Sequence, residues 1–342
     1  MATSHPRKAR QYTRGVERDS LVEWARRLTE PDWQAAARRR PYRTYRDTWL
    51  RVAALASGRA VAASACGVSH GGEPIWAVEV GPVDPPARAV TLVVAGLHAM
   101  EHVGVATAVA LLERAASPES RWRHHRLVVV PMANPDGFLA VQAGLARGER
   151  RFRRTNAAGV DLNRNFAVGW DDRYYLHRIL RRVFSPGAGP LSEPEARAID
   201  SLLAATRPTY ALSLHAFGEW IFTPYAGSRR PPPDLDRMLA IGRGMAAAQP
   251  ERPYRVLQLA HRTHLFQARG AEIDHFYERH GALSFLIEIG AGPRLRAPET
   301  WLHPYAWFTP PAPLLARDVA NVLPAIEYLA GLDSTFAVPA KA

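Results

Sequence analysis

Short apolar runs alternate with segments of helical spacing along most of the chain. Runs rich in β-branched residues at positions 75–80, 90–95 and 127–131 predict buried strands. Between the last two, positions 103–112 carry Ala and Val at the spacing of a helix, and positions 134–137, NPDG, predict a turn. The order strand, helix, strand is typical of a parallel α/β sheet.

The same order continues in the second half of the chain. A helix is predicted after Ser192, which we expect to be its N-cap because acidic residues and a proline follow in the first turn. The later pattern predicts strands at 210–214 and 283–289, and helices at 235–248 and 313–329. We therefore expect a single α/β domain with a mixed, mostly parallel twisted sheet flanked by helices.

The N-terminal segment is the one part that differs in composition. Residues 1–48 are rich in arginine and contain one short helical pattern at 21–28, so we predict an extension there. The main domain is then expected at 49–335, followed by a tail at 336–342. No internal repeat or low-complexity linker divides the main domain.

The apolar pattern of the sequence predicts neither a membrane span nor a secretory signal. No apolar run reaches the roughly 18 residues of a membrane span, and the N-terminus lacks the apolar block of a secretory signal. Cys66 is the only cysteine, which excludes an internal disulfide and fits a reducing compartment. We therefore expect a cytoplasmic protein without a membrane partner.

The formal net charge of +12 raises the question of an anionic partner. Nearly all of the positive charge is arginine, since Lys8 and Lys341 are the only lysines. Such a complete bias is more simply explained by genome composition than by a phosphate-binding face. No recognised nucleic-acid-binding motif accompanies the charge, so no nucleic-acid partner is expected.

The first candidate for chemistry follows the strand predicted at 90–95. His98 and Glu101 lie three residues apart just beyond this strand, where side chains reach the carboxyl edge of an α/β sheet. A hydrolytic zinc site uses three His or carboxylate ligands and leaves one position open for water. With thirteen histidines and thirty-two acidic residues this spacing also arises by chance, and then marks only the start of a helix.

Five further sequence blocks support the interpretation of His98 and Glu101, called here the His98 motif, as candidate zinc ligands. In order along the chain they are NPDGF at 134–138, VDLNRNF at 160–166, SEPE at 192–195, SLH at 213–215 and FLIE at 285–288. With the His98 motif, this series resembles the zinc metallocarboxypeptidases of the carboxypeptidase A family, from about residue 67 to the last helix. The resemblance implies an α/β fold, one zinc ion and a peptide substrate with a free C-terminal carboxylate.

The same resemblance implies a role for individual residues. His98, Glu101 and His215 are expected to hold the zinc ion, and Glu288 to act as the general base. Because Glu288 lies in an apolar run, burial of its charge would be costly without a compensating cation.

Five more positions correspond to groups that bind the substrate or the transition state. Arg153 is expected to stabilise the oxyanion, and Asn163 with Arg164 to clamp the terminal carboxylate, for which a guanidinium offers two parallel donors. Phe266 falls where the family has a mobile tyrosine, so its lid would lack a hydroxyl. Ile273 is expected at the floor of the side-chain pocket, which favours an apolar C-terminal residue, although the neighbouring Glu272 leaves room for a basic one.

The expected function is therefore hydrolysis of the C-terminal peptide bond of a peptide. Two other functions stay open: an amidase or deacylase on the same fold that acts on an acylamino acid or a modified peptide, and a peptide-binding module without catalysis. A different metal geometry is also possible, because residues 98–102 match HxxEH, in which both His98 and His102 bind zinc from one helix.

Overall fold

An eight-stranded sheet runs through the part of the chain that the computed structural model describes, which comprises residues 16–28, 42–58, 61–82, 89–149, 152–171, 173–174, 178–262, 267–291 and 305–332. The strands are β1 Val61–Val68, β2 Pro74–Val80, β3 Val90–Ala95, β4 Arg126–Val130, β5 Tyr210–His215, β6 Trp220–Thr223, β7 Arg255–Gln258 and β8 Leu283–Glu288. Their order in the sheet is β1-β2-β4-β3-β5-β8-β6-β7.

The centre of the sheet is parallel and its β1 side is antiparallel. Strands β4, β3, β5 and β8 run in the same direction, whereas β1 pairs antiparallel with β2 and β2 pairs antiparallel with β4. Strand β6 is antiparallel to β8 and parallel to β7. The predicted mixed α/β fold is confirmed.

Helices cover both faces of this sheet. They are α1 Val16–Arg27, α2 Tyr45–Ala56, α3 His102–Ala115, α4 Pro135–Ala146, α5 Arg181–Phe184, α6 Pro194–Thr206, α7 Leu235–Ala247, α8 Glu272–Glu278, α9 Tyr305–Phe308 and α10 Ala312–Tyr328. The larger apolar core contains side chains of α1 to α4, α7 and α10, and a second core contains α6 and Phe276 of α8. No helix among the described residues is long and apolar enough to cross a membrane.

The described part of the predicted N-terminal extension packs into the larger core. Leu21 and Ala25 of α1 are fully buried, and the Trp24 ring meets that of Trp49 edge to face at 5.5 Å. The predicted boundary at residue 48 falls inside α2, which begins at Tyr45. That boundary therefore does not coincide with the end of a structural element.

Most predicted elements are present with small shifts at their ends. The helix predicted after Ser192 starts at Pro194 with Glu193 as N-cap, because the Ser192 hydroxyl is hydrogen-bonded to the Glu193 carboxylate instead. The turn predicted at 134–137 is instead the start of α4, with the Asn134 side chain accepting from the Gly137 N–H. Strands β1, β6 and β7 and helix α8 were not predicted, because they are short or lack a clear period of apolar residues.

Candidate active site

The parallel strands β3, β5 and β8 bring three distant motifs to one edge of the sheet. His98 follows β3, His215 is the last residue of β5, and Glu288 is the last residue of β8. In the sheet register, His215 pairs with Glu288. The carboxyl ends of neighbouring parallel strands form the usual crevice for ligands.

Two glycines let the backbone bring these motifs close together. Gly96 turns the chain after β3 with a φ of +70°, a conformation that costs other residues more. A Cβ added to Gly104 of α3 would lie 2.9 Å from the carbonyl oxygen of Leu214. Glycine at this position lets the first turn of α3 approach the end of β5, so Glu101 meets His215.

His98, Glu101 and His215 form a buried cluster of ligand atoms. Nδ1 of His98 lies 2.8 Å from Oε1 of Glu101, and Nδ1 of His215 lies 2.9 Å from Oε2 of the same carboxylate. The two Nδ1 atoms are 3.0 Å apart and face each other. Two imidazoles and one carboxylate converging in this way match the donor set of a hydrolytic zinc site.

The outer nitrogens of both imidazoles have partners of their own. Nε2 of His98 lies 3.1 Å from Oδ1 of Asp161, while Nε2 of His215 lies 2.9 Å from the Ser213 hydroxyl and 3.0 Å from Oε1 of Glu272. Metal-binding histidines usually donate their other N–H to a carboxylate or carbonyl, which fixes the tautomer. The sequence therefore provides an outer partner for each imidazole ligand.

Charge in the cluster favours a cation. Burial alone would lower the pKa of His215, but Glu101 and Glu272 outweigh it and raise this pKa to about 10. Burial would raise the pKa of Glu101, but His98 and His215 hold it well below its usual value. The carboxylates thus attract positive charge to the point between the imidazoles, which is where a zinc ion would lie.

A cavity of about 330 Å³ opens beside this cluster. Its wall includes His98, His215 and Glu288 together with the arginines 154, 164 and 262 and the aromatic residues Tyr174, Phe184, Phe217, Phe222 and Phe308. One space is therefore bounded by the candidate metal ligands, a carboxylate, guanidinium groups and apolar surface.

Glu288 is held in this cavity with an unusual pKa. Its Oε2 is enclosed and has no hydrogen-bond partner among the described residues. Burial, followed by repulsion from Glu101, raises the pKa of Glu288 to about 8. A divalent cation bound by the cluster would oppose both effects and favour the ionised carboxylate.

The structure places Arg154, rather than the predicted Arg153, at the site. Arg154 donates from Nε to Asp161 at 2.8 Å, its Nη1 lies 3.8 Å from Oε1 of Glu101, and it lines the cavity. Its carbonyl oxygen also accepts from the Ala99 N–H, which attaches this segment to the loop of His98. Arg153 is not part of the cavity wall, and its Nε is enclosed without a partner among the described residues.

Asn163 and Arg164, the predicted clamp for the terminal carboxylate, both line the cavity. The Asn163 side chain accepts from the backbone N–H of Glu272 at 3.2 Å. Arg164 donates to the carbonyl oxygen of Asn163, and its guanidinium carbon lies 5.6 Å from the centre of the Phe184 ring. A desolvated guanidinium held in this way is suited to bind an anionic group of a ligand.

The remaining predicted residues lie elsewhere. Ile273 is fully buried behind the cavity wall, where it packs with Phe222 and Leu286, which do line the cavity. Phe266 lies outside the described residues. His102 is not part of the ligand cluster, because it points into the core and its ring lies 4.3 Å from that of Phe138.

Asp161 and Tyr174 have contacts at the site but were not assigned a role from the sequence, and Glu272 was considered only as a residue of the side-chain pocket. Asp161 lies within the VDLNRNF block, and the need of His98 for an outer partner was the signal that could have identified it. Glu272 and Tyr174 both lie outside the matching blocks, so no pattern indicated that Glu272 contacts His215 or that Tyr174 lines the cavity. The Tyr174 hydroxyl accepts from the Gln267 N–H at 2.9 Å and joins two parts of the cavity wall.

Comparison with known proteins agrees with this geometry. The model of the family described as "Zinc carboxypeptidase" matches residues 47–318. Among curated proteins, the chain is 36% identical to murein peptide amidase A of Escherichia coli (strain K12) over 141 residues, 39% of this chain and 52% of that protein. It is 24% identical to carboxypeptidase O of Bos taurus over 198 residues, 53% of this chain and 52% of that protein.

A solved structure shows the same fold. The structure of bovine thrombin-activatable fibrinolysis inhibitor in complex with tick carboxypeptidase inhibitor superposes with a TM-score of 0.71 at 19% identity, over 84% of this chain and 96% of that chain. The chain spans about half the length of the curated relatives it matches. The family match confirms the resemblance predicted from the motifs: the chain belongs to the zinc carboxypeptidase family.

Proposed function

We propose that this chain is a zinc-dependent hydrolase that removes the C-terminal residue of a peptide or peptide-like substrate. One observation carries the proposal: the ligand cluster of His98, Glu101 and His215 opens into the same cavity as Glu288 and Arg164. The first group suits one zinc ion, the second suits proton transfer, and the third suits a terminal carboxylate.

Glu288 is the general base of the proposed reaction. When bound, zinc lowers the pKa of a water molecule and polarises a carbonyl group. Glu288 accepts the proton of the attacking water and returns it to the leaving amine, so no covalent intermediate with the protein is needed. Its enclosed Oε2, free of hydrogen bonds to the described residues, is available for this transfer.

Arg154 stabilises the negative charge that develops on the carbonyl oxygen. The bond from its Nε to Asp161 fixes the guanidinium beside Glu101, and its side chain lines the cavity. A donor positioned before the reaction contributes more than one that must reorganise. Asp161 therefore holds two groups, Arg154 on one side and Nε2 of His98 on the other.

Arg164 and Asn163 select the end of the substrate. Arg164 presents a guanidinium to the cavity, and two parallel charge-assisted hydrogen bonds to a carboxylate favour a free C-terminus over an internal bond. Phe222 and Leu286 provide apolar surface for the released side chain. We therefore expect a preference for apolar C-terminal residues.

A second candidate function is favoured by a stretch of higher sequence similarity. Over 141 residues the chain is 36% identical to a protein named murein peptide amidase A. The same zinc cluster and base could cleave an amide bond in a peptide of the cell wall or in an acylamino acid. In that case the guanidinium of Arg164 still binds a carboxylate, but that carboxylate belongs to a modified peptide.

A substrate panel distinguishes these functions. The purified chain is tested on a peptide with a free C-terminus, the same peptide with a C-terminal amide, an N-acylamino acid and a murein tripeptide. Cleavage of the free peptide that is lost on amidation, lost with a chelator and restored by zinc supports the carboxypeptidase proposal. Cleavage of the murein tripeptide alone favours the amidase, and no cleavage of any member by the zinc-loaded chain contradicts both.

A further inference from the structure

A second group of metal-binding side chains lies outside the proposed active site. Asp200 of α6, His275 of α8 and His280, which follows α8, have ligand atoms within 4.8 Å of one another. Nε2 of His275 and Nε2 of His280 each lie 2.8 Å from the same oxygen, Oδ1 of Asp200. We propose that these three residues bind a divalent transition-metal ion of the zinc class, independently of the proposed catalytic ion.

Both imidazoles direct Nε2 at the same carboxylate oxygen, Oδ1 of Asp200. The His275 side chain is fully buried beside Asp200. Nε2 of this ring points to Asp200. Its Nδ1 is enclosed and has no hydrogen-bond partner among the described residues. Neutral imidazole and carboxylate are the ligands that zinc, copper and nickel prefer among nitrogen and oxygen donors.

Asp200 and His280 are partly accessible to solvent in this arrangement. The Asp200 side chain is 22% exposed and that of His280 is 11% exposed. The site is therefore open enough for an ion to enter and for a water molecule to complete the coordination.

The spacing of the group resembles that of the proposed catalytic cluster. There, contacts between ligand atoms measure 2.8 to 3.0 Å, and here the two contacts measure 2.8 Å. Tetrahedral zinc with bonds of about 2.0–2.1 Å separates its ligands by about 3.3 Å. Both groups would open by a few tenths of an ångström to admit the ion.

Arg279 would compete with the proposed metal ion for the Asp200 carboxylate. Its Nε lies 3.5 Å from the same Oδ1, but its side chain is 57% exposed and can turn into solvent. In the ordinary alternative, Asp200 simply accepts two imidazole N–H groups and pairs with Arg279. In the proposed site, the proton of each imidazole would move from Nε2 to Nδ1, Nε2 would bind the metal ion, and Arg279 would turn away.

The proposed ion would join two elements that pack on one face of the sheet. Helix α6 and Phe276 of α8 belong to the same apolar core. Helix α8 also begins with Glu272, which touches the candidate ligand His215. Metal binding at Asp200 would therefore stabilise the helix that supports this ligand.

Zinc stoichiometry tests the proposal, whether or not the chain is a peptidase. The tag-free chain is stripped with a chelator and titrated with zinc under equilibrium dialysis. We expect two ions per chain, and Asp200→Asn, which keeps the size and one acceptor, should bind one. His280→Ala should also bind one ion, and circular dichroism confirms that each variant is folded.

Arg279→Gln gives the opposite expectation. Removal of this cation should tighten the second ion while the first is unchanged. A chain that binds one ion only, or an Asp200→Asn variant that still binds two, would overturn the proposal. Unchanged affinity for the second ion in Arg279→Gln would also contradict it.

Discussion

Oε1 of Glu272 lies 3.0 Å from Nε2 of His215. The other ring nitrogen of His215, Nδ1, faces Glu101. Both side chains are buried, and Oε2 of Glu272 has no hydrogen-bond partner among the described residues. A buried carboxylate with one unsatisfied oxygen is costly unless a positive group compensates it. His215 carrying a metal ion on its other nitrogen provides that compensation.

Glu272→Gln should therefore weaken zinc binding. The substitution keeps the size of the side chain but removes the charge that orients His215 and raises its basicity. Loss of such an outer partner typically lowers metal affinity by roughly 10- to 100-fold. Competition with a chromophoric chelator measures the affinity, and it does not depend on catalysis.

Ser213→Ala is the matched control, because the Ser213 hydroxyl lies 2.9 Å from the same nitrogen. We expect this change to have a much smaller effect on zinc affinity than Glu272→Gln. If Ser213→Ala reduces the affinity as strongly while Glu272→Gln leaves it unchanged, the hydroxyl and not the carboxylate positions His215.

Arg154→Ala should reduce turnover by about 10² to 10³, the usual effect of losing one oxyanion donor. Arg153→Ala, one residue away and outside the cavity, should have little effect. Because Arg154 also bonds to Asp161, the zinc content of each variant is measured beside kcat. Equal losses in both variants, or a loss explained by missing zinc, would count against the proposed role of Arg154.

Arg164→Lys keeps the positive charge but removes the planar pair of donors. We expect KM for a peptide with a free C-terminus to rise about 10- to 100-fold, since a hydrogen bond to a charged group contributes about 1.5–3 kcal/mol. The change in kcat should be smaller. An unaltered KM in steady-state assays would show that Arg164 does not bind the terminal carboxylate.

The metal-free protein should lose stability as pH rises. The pKa of Glu288 is raised from its ordinary value of 4.5 to about 8 in the folded chain, so between these values the folded state binds more protons than the unfolded state. The free energy of unfolding then falls from about pH 4.5 to about pH 8, and Glu288→Gln removes this contribution.

Denaturant titrations in the presence of a chelator test this sign. At pH 8.5 Glu288→Gln should be more stable than the unchanged chain, and the difference should shrink towards pH 4. Bound zinc should reduce the difference, because a cation lowers the pKa of Glu288. A variant that is less stable than the unchanged chain at pH 8.5 would contradict the raised pKa.

The sequence predicted those parts of the molecule that local patterns specify. The central strands follow from apolar runs, and the resemblance placed His98, Glu101, His215 and Glu288 at strand ends, which a parallel sheet brings together. Their roles in zinc binding and proton transfer stay predictions until they are measured.

Other features depend on contacts that no local pattern reveals. Two contacts place Arg154, and not Arg153, at the site. The Arg154 carbonyl oxygen accepts from the Ala99 N–H, which lies far away in the chain, and Nε of Arg154 donates to Asp161, which belongs to another motif. Ile273 was expected at the floor of the pocket, but it is buried in a cluster with Phe222 of β6 and does not line the cavity. Strand β6 has only four residues, too few to show a period of apolar positions, so the sequence did not predict this contact.

The most direct test of the central claim is the zinc content and turnover of Glu288→Gln. Glu288 lines the cavity but is not one of the three ligand residues, so the variant should keep the ion in the cluster of His98, Glu101 and His215. We predict that one zinc ion stays bound there and that turnover falls by about 10² to 10⁴, the usual contribution of a general base. A variant that keeps its zinc and full turnover would contradict the proposed mechanism.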